Sequence, residues 1–445
     1  MWSILYYIRN NPEVLINSQK KRGESTETVE KAVALDKQWR AVLKEVEQLR
    51  KQRNELSKKI RENPELREEA KKISNLLKEK ESELKRIAEE REKILLSIPN
   101  VLHESVPEGE SDEDNVPIRY FGKPRVYYKH AKTFEEQFPG VEYEEIPFEP
   151  KPHVVLSEKF VDTLRAGKVS GSRFYYMFND LVFLDFALMM YAMDYMSKKG
   201  YTVTIPPYLL GKTAYEGVTA LSDFEEMIYK VEGEDLFLIA TSEHPIAGYY
   251  MNEVLEIEEL PKKFCGVSPC FRKEAGAHGK DTKGIFRVHQ FHKIEQFVFC
   301  HPDESWDIHE ELIQNAEELW KGLGIPYRVV NICTGDIGVV AAKKYDLEAW
   351  MPAQNKFREM VSASNCTDYQ SYRLNIRYAK KRGLPSEGYV HTLNSTAIAT
   401  SRAICAILEN NQEEDGTVRI PKVLRKYLEP FENAPKDSIN CVKHE

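Results

Sequence analysis

The amino-acid sequence predicts an α+β fold preceded by a long helical hairpin, and three observations lead to that expectation. Apolar residues between 27 and 98 recur at alternating spacings of three and four, which is typical of two helices packed along a seam. From about 119 to 430, amphipathic helical stretches at 181–199, 304–322 and 397–410 alternate with short β-like runs without a clear βαβ rhythm. The sequence contains neither Gly-x-Gly-x-x-Gly nor a Walker A pattern, so the two usual nucleotide-binding folds are not indicated.

Composition narrows the classes of protein to consider. The 445 residues suffice for two or three domains, and a formal net charge of −8 gives no global basic field for nucleic acid, although local basic patches stay open. Seven cysteines without a Cys-x-x-Cys pair predict reduced thiols, a cytoplasmic protein and no zinc cluster. The most apolar segment, 181–196, contains Asp185 and Asp194 and is too short and too acidic to span a bilayer, so no membrane association is expected.

The segment 27–98 is predicted to form a helical hairpin of the antiparallel coiled-coil type. Apolar seams run through 35–60 and 66–98, and Asn63-Pro64 interrupts the pattern between them. Two helices of similar length joined by a tight break are typical of an antiparallel pair. Each helix of about 35 residues would measure roughly 50 Å.

Two functions are open for this hairpin, which lies in a predicted N-terminal domain at 1–110, ahead of a larger domain at 111–445. The seam alone is typical of a dimerisation coiled coil. The opposite face is rich in basic residues near the tip, interleaved with glutamates, which favours a nucleic-acid surface only weakly. These basic residues include Lys51, Arg53, Lys58, Lys59, Lys71 and Lys72.

The stretch from 271 to 297 reads FRKEAGAHGKDTKGIFRVHQFHKIEQF and is the densest in candidate chemistry. Its middle is glycine-rich and polar, and its flanks alternate like strands, so we expect a long β-hairpin. The charged residues that would meet on or near one surface are Arg272, Glu274, Arg287 and Glu295. Two arginines on one surface suit a triphosphate, because each guanidinium can grip oxygens with two donors.

This string resembles motif 2 of the seryl-tRNA synthetases, a family of class II aminoacyl-tRNA synthetases. The segment at about 181–209 is similar to motif 1. The segment 391–427, which contains the run Asn394 to Arg402, is similar to motif 3. The motifs occur in the family's order, and the helical hairpin matches the family's N-terminal arm. The sequence looks like the family's common type, and an archaeal member is expected. The resemblance implies an antiparallel sheet flanked by helices, a tRNA-binding N-terminal domain and a homodimer formed through motif 1.

The resemblance also implies an ATP-dependent ligase. The family joins L-serine and ATP into seryl-adenylate with release of pyrophosphate, and then transfers the seryl group to the 3′ end of tRNA(Ser). Whether the selenocysteine tRNA is a second substrate stays open. Two other interpretations are a ligase that loads an amino acid onto a carrier protein and a coiled-coil scaffold with an inactive synthetase-like domain. The arm argues against the first, because such ligases tend to lack it. The joint presence of five residues argues against the second: Arg272, Glu274, Glu295, Glu359 and Arg402.

The family's site roles carry over to the matching positions. The implied catalytic residues are Arg272, at the α-phosphate, and Arg402, on one face of adenine with Phe291 on the other. The residues implied around serine are Thr241, Ser242, Glu243, Arg272, Glu295, Asn394 and Thr396. The residues implied around ATP are Arg272, Lys273, Glu274, Arg287, Val288, Phe291, Glu359, Met360, Val361, Ser362 and Arg402. Glu359 and Ser362 would bind Mg²⁺, and Glu295 would hold the serine ammonium, a task for which no zinc is then expected.

A few positions depart from the family's usual pattern. Ser395-Thr396-Ala397 replaces a more glycine-rich start of motif 3, and Val361 stands where a serine is frequent. Thr241-Ser-Glu-His244 replaces a Thr-Ala-Glu pattern. Two histidines near the motifs, His289 and His391, are expected to be packing residues rather than catalysts.

Overall fold

A computed structural model describes residues 3–60, 63–219, 227–274 and 283–441 of the chain. Internal contacts divide the chain into two compact units, Met1–Leu102 and His103–Glu445. The first unit therefore ends a few residues before the boundary at 110 that the sequence suggested. The centre of motif 2, at 275–282, lies outside the described residues.

Helices and short strands alternate along the chain. The helices are α1 Ser3–Asn10, α2 Pro12–Lys21, α3 Glu27–Lys59, α4 Arg67–Ser97, α5 Ala131–Gln137, α6 His153–Leu156, α7 Thr163–Ser170, α8 Asp180–Lys198, α9 Lys212–Val218, α10 Glu243–Ala247, α11 Ser305–Leu323, α12 Tyr369–Arg373, α13 Thr400–Asn410 and α14 Lys422–Leu428. The strands are β1 Val116–Phe121, β2 Arg125–Tyr127, β3 Glu144–Ile146, β4 Val161–Asp162, β5 Tyr176–Met177, β6 Thr202–Thr204, β7 Leu209–Gly211, β8 Leu236–Leu238, β9 Val254–Glu256, β10 Lys262–Phe271, β11 Gln290–Cys300, β12 Tyr327–Asn331, β13 Lys343–Met351, β14 Lys356–Asn365, β15 Arg377–Ala379, β16 Gly388–Tyr389, β17 His391–Ala399, β18 Thr417–Arg419 and β19 Ser438–Asn440.

In the first unit, α3 and α4 form the predicted helical hairpin. Its seam buries Val42, Val46, Leu77 and Ile87, which come from both helices and follow the spacing seen in the sequence. A short 3₁₀ turn at Pro64–Leu66 follows the predicted break, where proline cannot continue the preceding helix. The expectation of a helical arm is confirmed.

Asp36 ties three helices of this unit together. Its carboxylate accepts hydrogen bonds from Nε and Nη2 of Arg9, both at 3.0 Å, from Nε of Arg40 at 3.0 Å and from Nε of Arg91 at 2.9 Å. Burial opposes ionisation of this carboxyl, but the hydrogen bonds from Arg9 and Arg91 outweigh it and hold the pKa of Asp36 below its usual value. Because Arg9 lies in α1 and Arg91 in α4, the cluster fixes both helices to α3.

The second unit is built on an eight-stranded sheet with the order β1-β12-β13-β14-β17-β11-β10-β6. All neighbouring pairs in this sheet are antiparallel except β10 and β6, which run parallel. Smaller sheets lie beside it: β2 with β3, β4 with β5, β7 with β8, β18 with β19, and β16-β15-β9. The predicted antiparallel sheet flanked by helices is confirmed.

One face of the large sheet carries the main core. Ile294 and Val298, alternate residues of β11, belong to the same buried cluster as Leu184 of α8, Trp320 of α11 and Ile404 of α13. Most of the large apolar side chains of α8 are therefore buried within the chain and are not available for an interface. None of the helices in the described ranges is long and apolar enough to cross a membrane.

The motif 2 hairpin differs from the prediction on both sides of its loop. Strand pairing stops at Phe271 and resumes at Gln290, so the flanks nearest the loop are not in strands. One hydrogen bond continues the pairing, from the amide of Arg272 to the carbonyl of His289 at 2.9 Å. Glu274 then adopts a left-handed φ of 49°, which an extended strand cannot accommodate.

A smaller difference concerns the helix expected at 397–410. It begins at Thr400, because Ile398 and Ala399 still pair with β11 as the end of β17. The other long helices of this unit, α8 and α11, lie within a residue of the ranges 181–199 and 304–322 that amphipathic spacing indicated.

Candidate active site

A cavity of about 510 Å³ opens on the face of the sheet opposite the main core. Phe291, Lys293 and Glu295 all line it, because alternate residues of β11 point to the same face. Asn394 and Thr396 line it from β17 in the same way. The other predicted site residues around this cavity are Thr241, Glu243, Arg272, Glu359, Met360, Ser362 and Arg402. Most of the predicted site thus surrounds one space.

Two β-bulges decide which side chains reach the cavity. Glu348 of β13 pairs with Glu359 instead of Met360, which leaves Met360 as an extra residue in β14. Glu359 and Ser362 are three residues apart and would otherwise point to opposite faces, but the bulge turns both toward the cavity. Ala397 is the corresponding extra residue of β17, next to β11.

Glu295 is the most tightly held carboxylate of the cavity. It is 2% exposed, lies 2.7 Å from Nζ of Lys293 and accepts a hydrogen bond from Oγ1 of Thr396 at 3.2 Å. Gly266 pairs with it on β10, and a Cβ at that glycine would come within 2.5 Å of Oγ of Ser242. The glycine therefore allows close packing behind the carboxylate, whose two oxygens can accept further hydrogen bonds.

A second carboxylate, Glu243, faces the same cavity. It accepts hydrogen bonds from Nδ2 of Asn394 at 3.1 Å and Nε2 of Gln370 at 3.0 Å. Burial, and then the negative charge of Glu295, raise the pKa of Glu243 to about 7, against the opposing effect of Lys293. This carboxyl group therefore changes its charge near neutral pH, and a bound cation would favour its ionised form.

Two further titratable groups of the cavity are neutral near pH 7. Burial, followed by the positive charges of Lys293 and Arg272, lowers the pKa of His244 to about 3. Burial, followed by the charge of Glu243, raises the pKa of the Cys366 thiol. Neither group is suited to act as a general base in this cavity.

Two arginines line the cavity, each beside an aromatic ring. The guanidinium carbon of Arg272 lies 5.4 Å from the ring centre of Phe291, and that of Arg402 lies 5.2 Å from the ring centre of Phe286. Nη1 of Arg402 also donates to the carbonyl of Glu359 at 2.9 Å. The expected partner of Arg402 across an adenine, Phe291, lines the same cavity, while Phe286 supports the arginine from another side.

A second cavity of about 960 Å³ shares Glu359 and Arg402 with the first. Arg287 lines this second cavity and lies 3.3 Å from a carboxylate oxygen of Glu274. Desolvation of Glu359 disfavours its charged form. The positive charges of Arg402 and then Lys344 outweigh this effect and lower the pKa of Glu359. An ionised carboxylate therefore stands where the two cavities meet.

Five predicted site residues do not line either cavity. One of them, Glu274, contacts Arg287 beside the second cavity. Ser242 is fully buried, and the side chains of Val288 and Val361 belong to the main core. The ammonium of Lys273 lies 5.8 Å from an aromatic ring centre. Only the backbone of Val288 remains available for the contact expected of it, and the roles of all five stay predictions.

Some cavity residues were missed by the sequence reasoning. Lys293 lies between Phe291 and Glu295 in the strand alternation, and that alternation could have identified it. Lys344 also lines the cavity, but it comes from β13, which no motif marked. Phe286 was seen only as part of the motif 2 string, and its contact with Arg402 depends on the folded loop.

The residues present fit a magnesium ion that is also bound by phosphate. In the described ranges, no three His, Cys, Asp or Glu side chains form a group that could hold a metal ion by themselves. Magnesium needs fewer protein ligands, because one or two carboxylates with substrate phosphates and water complete its shell. Glu359 and Ser362 offer a carboxylate and a hydroxyl toward the same cavity.

Protein-family models match both units of the chain. The seryl-tRNA synthetase N-terminal domain matches residues 5–102, and the tRNA synthetase class II core domain (G, H, P, S and T) matches residues 227–411. A serine–tRNA ligase from Archaeoglobus fulgidus is 62% identical over 452 residues, and the match covers 100% of each chain. Another, from Hyperthermus butylicus, is 55% identical with 99% of each chain covered.

Solved structures with the same architecture give the same result. The seryl-tRNA synthetase from Pyrococcus horikoshii complexed with ATP matches with a TM-score of 0.93 and 53% identity over 99% of each chain. The cytoplasmic serine–tRNA ligase from Naegleria fowleri in complex with AMP matches with a TM-score of 0.84 and 40% identity, covering 96% of this chain and 95% of the other. Both likenesses extend over nearly the full length.

Proposed function

Because the chain belongs to the seryl-tRNA synthetase family, we propose that its central cavity holds L-serine and ATP side by side. The chain is an ATP-dependent serine–tRNA ligase, which converts ATP to AMP and pyrophosphate. The observation that carries the proposed arrangement is one space of about 510 Å³ lined by both buried carboxylates and arginines.

The serine ammonium is assigned to the two carboxylates Glu295 and Glu243. Both line the cavity, and a cation between them would offset their mutual repulsion. Glu295, Thr396 and Asn394 also provide acceptors and donors for the serine hydroxyl. A site built to bond a hydroxyl rejects alanine, because its buried polar groups would lose their partners. Threonine carries the hydroxyl and must be excluded by size.

ATP is assigned to the arginine-lined part of the same space. Arg272 is proposed to hold the α-phosphate, and Phe291 and Arg402 to lie on the two faces of adenine, an arrangement supported by their position around one cavity. Glu274 is assigned to the adenine amino group and Arg287 to the outer phosphates. Their contact at 3.3 Å would have to open for both roles.

The first chemical step needs no general base in this arrangement. The serine carboxylate is already ionised, and one of its oxygens attacks the α-phosphorus while the bond to the bridging oxygen breaks and pyrophosphate leaves. Arg272 stabilises the charge that develops on the α-phosphate, and Arg402 holds the adenine that positions this phosphate. In the second step a ribose hydroxyl of the tRNA attacks the seryl carbonyl, and AMP leaves. The neutral state of His244 and Cys366 accords with a site that aligns and neutralises its reactants.

Mg²⁺ is assigned to Glu359 and Ser362. When bound, the ion bridges phosphate oxygens and neutralises part of their charge. The lowered pKa of Glu359 supports this role, because the carboxylate is ionised over the whole neutral range. No zinc is part of the proposal, since Glu295 and Glu243 serve the amino group.

The α3–α4 hairpin is assigned to tRNA(Ser). Its tip exposes lysines from both helices, among them Lys58, Lys59 and Lys71, which suit contact with phosphates. Helical arms of this kind read double-helical RNA by shape and backbone, and the proposal therefore extends to the selenocysteine tRNA. The alternative role, dimerisation through the seam, predicts that the hairpin sets the oligomeric state.

A homodimer formed through motif 1 is also part of the proposal. The strand β6 lies at the edge of the large sheet, and Val203 and Ile205 beside it are 42% and 70% exposed. Phe186 of α8 is 50% exposed as well. Such apolar side chains on one motif support an interface. A cytoplasmic location is supported by the seven cysteines, which all lie buried in the described ranges with no disulfide bond among them.

Exchange of labelled pyrophosphate into ATP tests the proposed arrangement. We expect exchange that depends on serine and on Mg²⁺, with alanine and threonine at least about 100-fold less effective. A scaffold with an inactive domain would show no exchange, and this result would overturn the proposal. A carrier-protein ligase would show exchange but would not charge tRNA(Ser), so charging is measured in parallel.

A further inference from the structure

Asp346 lies beside both residues assigned to Mg²⁺, although no motif singled it out. It pairs directly with Ser362 across the antiparallel strands β13 and β14, while Glu348 pairs with Glu359. Directly paired residues point to the same face, with Cβ atoms about 4.5–5.5 Å apart. Asp346 therefore shares a face with Ser362, and the bulge at Met360 adds Glu359 to that face.

The carboxylate of Asp346 is buried but incompletely bonded. The residue is 5% exposed, yet it lines the second cavity together with Glu359. Ser362 lies directly across from this carboxyl group on the neighbouring strand. Across the described part of the chain, Oδ1 of Asp346 has no hydrogen-bond partner. A buried acceptor without a partner carries a desolvation cost, which points to a ligand that is bound during function.

The two neighbours of Asp346 on the same face of β13 each have a hydrogen-bond partner of their own. Glu348 accepts a hydrogen bond from Nε of Arg328 at 2.5 Å, so its charge is already matched. Nζ of Lys344 donates to the carbonyl of Asp336 at 3.4 Å, and this lysine lines the first cavity. Two carboxylates, those of Asp346 and Glu359, and one hydroxyl remain on the face, and hard oxygen ligands of this kind are those that Mg²⁺ prefers.

We propose that Asp346 completes the magnesium site, with Oδ1 as an oxygen ligand of the ion and its other oxygen holding the hydroxyl of Ser362. The inference rests on the proposed role of Glu359 and Ser362. The hydroxyl of Ser362 donates its proton to Asp346, so its lone pairs face the ion. Asp346 thus both binds the ion and orients a neighbouring ligand, which sets where the ion meets the phosphates of ATP.

The test measures ATP binding to the full-length protein rather than turnover. Calorimetry gives the Kd of ATP in EDTA and in Mg²⁺, and the ratio of the two is the metal-dependent gain. We expect Asp346→Asn to lower this gain about 10- to 100-fold. Its Kd in EDTA should stay about equal, because Asp346 has no assigned contact with ATP when the ion is absent. Glu348→Gln is the matched control on the same strand and should keep the gain.

A thiolate at the same position separates a ligand from a nearby charge. Asp346→Cys should lose the gain with Mg²⁺ and recover it with Cd²⁺, beyond any Cd²⁺ gain of the unmodified protein, because thiolates bind soft cations. If Asp346→Cys loses the gain and Cd²⁺ does not restore it, Asp346 acts only as a counter-charge to Lys344, and the proposal is overturned. An unchanged gain in Asp346→Asn would overturn it as well. A full gain in Glu359→Gln would instead overturn the metal assignment on which the inference rests.

Discussion

The α3–α4 hairpin and the eight-stranded sheet differ in the range of the contacts that hold them. In the hairpin, Arg50 meets Glu81, 31 residues later, along one pair of helices, and the charged side chains toward the tip are exposed, in contrast to the buried Asp36 cluster. In the sheet, Glu295 meets Thr396, 101 residues later, and the same carboxylate is buried against Lys293. The hairpin offers an extended charged surface, whereas the sheet encloses charges in a fixed geometry. Changes in the first should therefore affect RNA binding or local stability, and changes in the second should affect amino-acid activation.

The largest effect is expected in the sheet, at Glu295. Glu295→Gln keeps the shape but removes the charge that faces the serine ammonium and leaves Lys293 without its counter-charge. Serine-dependent pyrophosphate exchange should fall at least about 1,000-fold. Calorimetry should still detect ATP binding, which separates a lost serine site from a lost fold. Exchange within about tenfold of the unmodified protein would remove Glu295 from the serine site.

Arg402 should rank next. Arg402→Ala removes the guanidinium that lies beside both cavities, and we expect kcat/KM for ATP to fall by about 10²–10³, or roughly 3–4 kcal/mol of transition-state stabilisation. Arg382→Ala is the control, because Arg382 is an exposed arginine of the same unit that lines neither described cavity. A loss of less than about tenfold for Arg402→Ala would argue against a role at the phosphates or the adenine.

In the hairpin, the matching test concerns stability rather than chemistry. Asp36→Asn leaves Arg91 and Arg9 without their charge partner, and we expect about 2–3 kcal/mol of local destabilisation, at the lower end for buried pairs because Arg9 is partly exposed. Amide hydrogen exchange should speed up in α3 and α4 and stay unchanged in the sheet. Equal effects in both units would contradict the comparison.

The same carboxylate predicts a pH dependence. The pKa of Asp36 is lower in the folded chain than its usual value of 3.8. Its contribution to stability is therefore fully present above about pH 4 and is lost as the pH falls through the lowered value. Asp36→Asn should flatten this acid-side loss in the hairpin amides.

A smaller effect is expected for the second carboxylate of the cavity. The raised pKa of Glu243, about 7, means that its ionised fraction grows by about tenfold between pH 6 and pH 8. If the ionised form accepts the serine ammonium, KM for serine should fall by a similar factor over that range. Glu243→Gln should show a higher KM that does not change with pH. The same pH profile in both proteins would assign the titration to another group.

The two regions also differ in what the sequence could predict. Apolar spacing predicted the hairpin because helix contacts repeat with a fixed period along the chain. The motifs identified most of the residues that line the first cavity, as the positions on strands β11 and β17 show. The bulges at Met360 and Ala397 were not predictable, because they arise from pairing between strands far apart in sequence. The bulge at Met360 decides the direction of Glu359, and with it the surroundings of Asp346. The left-handed turn at Glu274, three residues after β10 ends, was not predictable either, because a positive φ is uncommon for residues other than glycine.

We assign activation to the sheet and tRNA recognition to the hairpin, and a protein with a shortened hairpin separates the two functions. Residues 51–75 are replaced by a short Gly-Ser linker, which removes the basic tip but keeps the Asp36 cluster and the contact of Arg50 with Glu81. We measure pyrophosphate exchange, charging of tRNA(Ser) and oligomeric state on this one protein. We expect the rate of pyrophosphate exchange and the oligomeric state to stay unchanged, and kcat/KM for tRNA(Ser) to fall at least about 100-fold. Normal charging, or loss of exchange together with the oligomer, would contradict it.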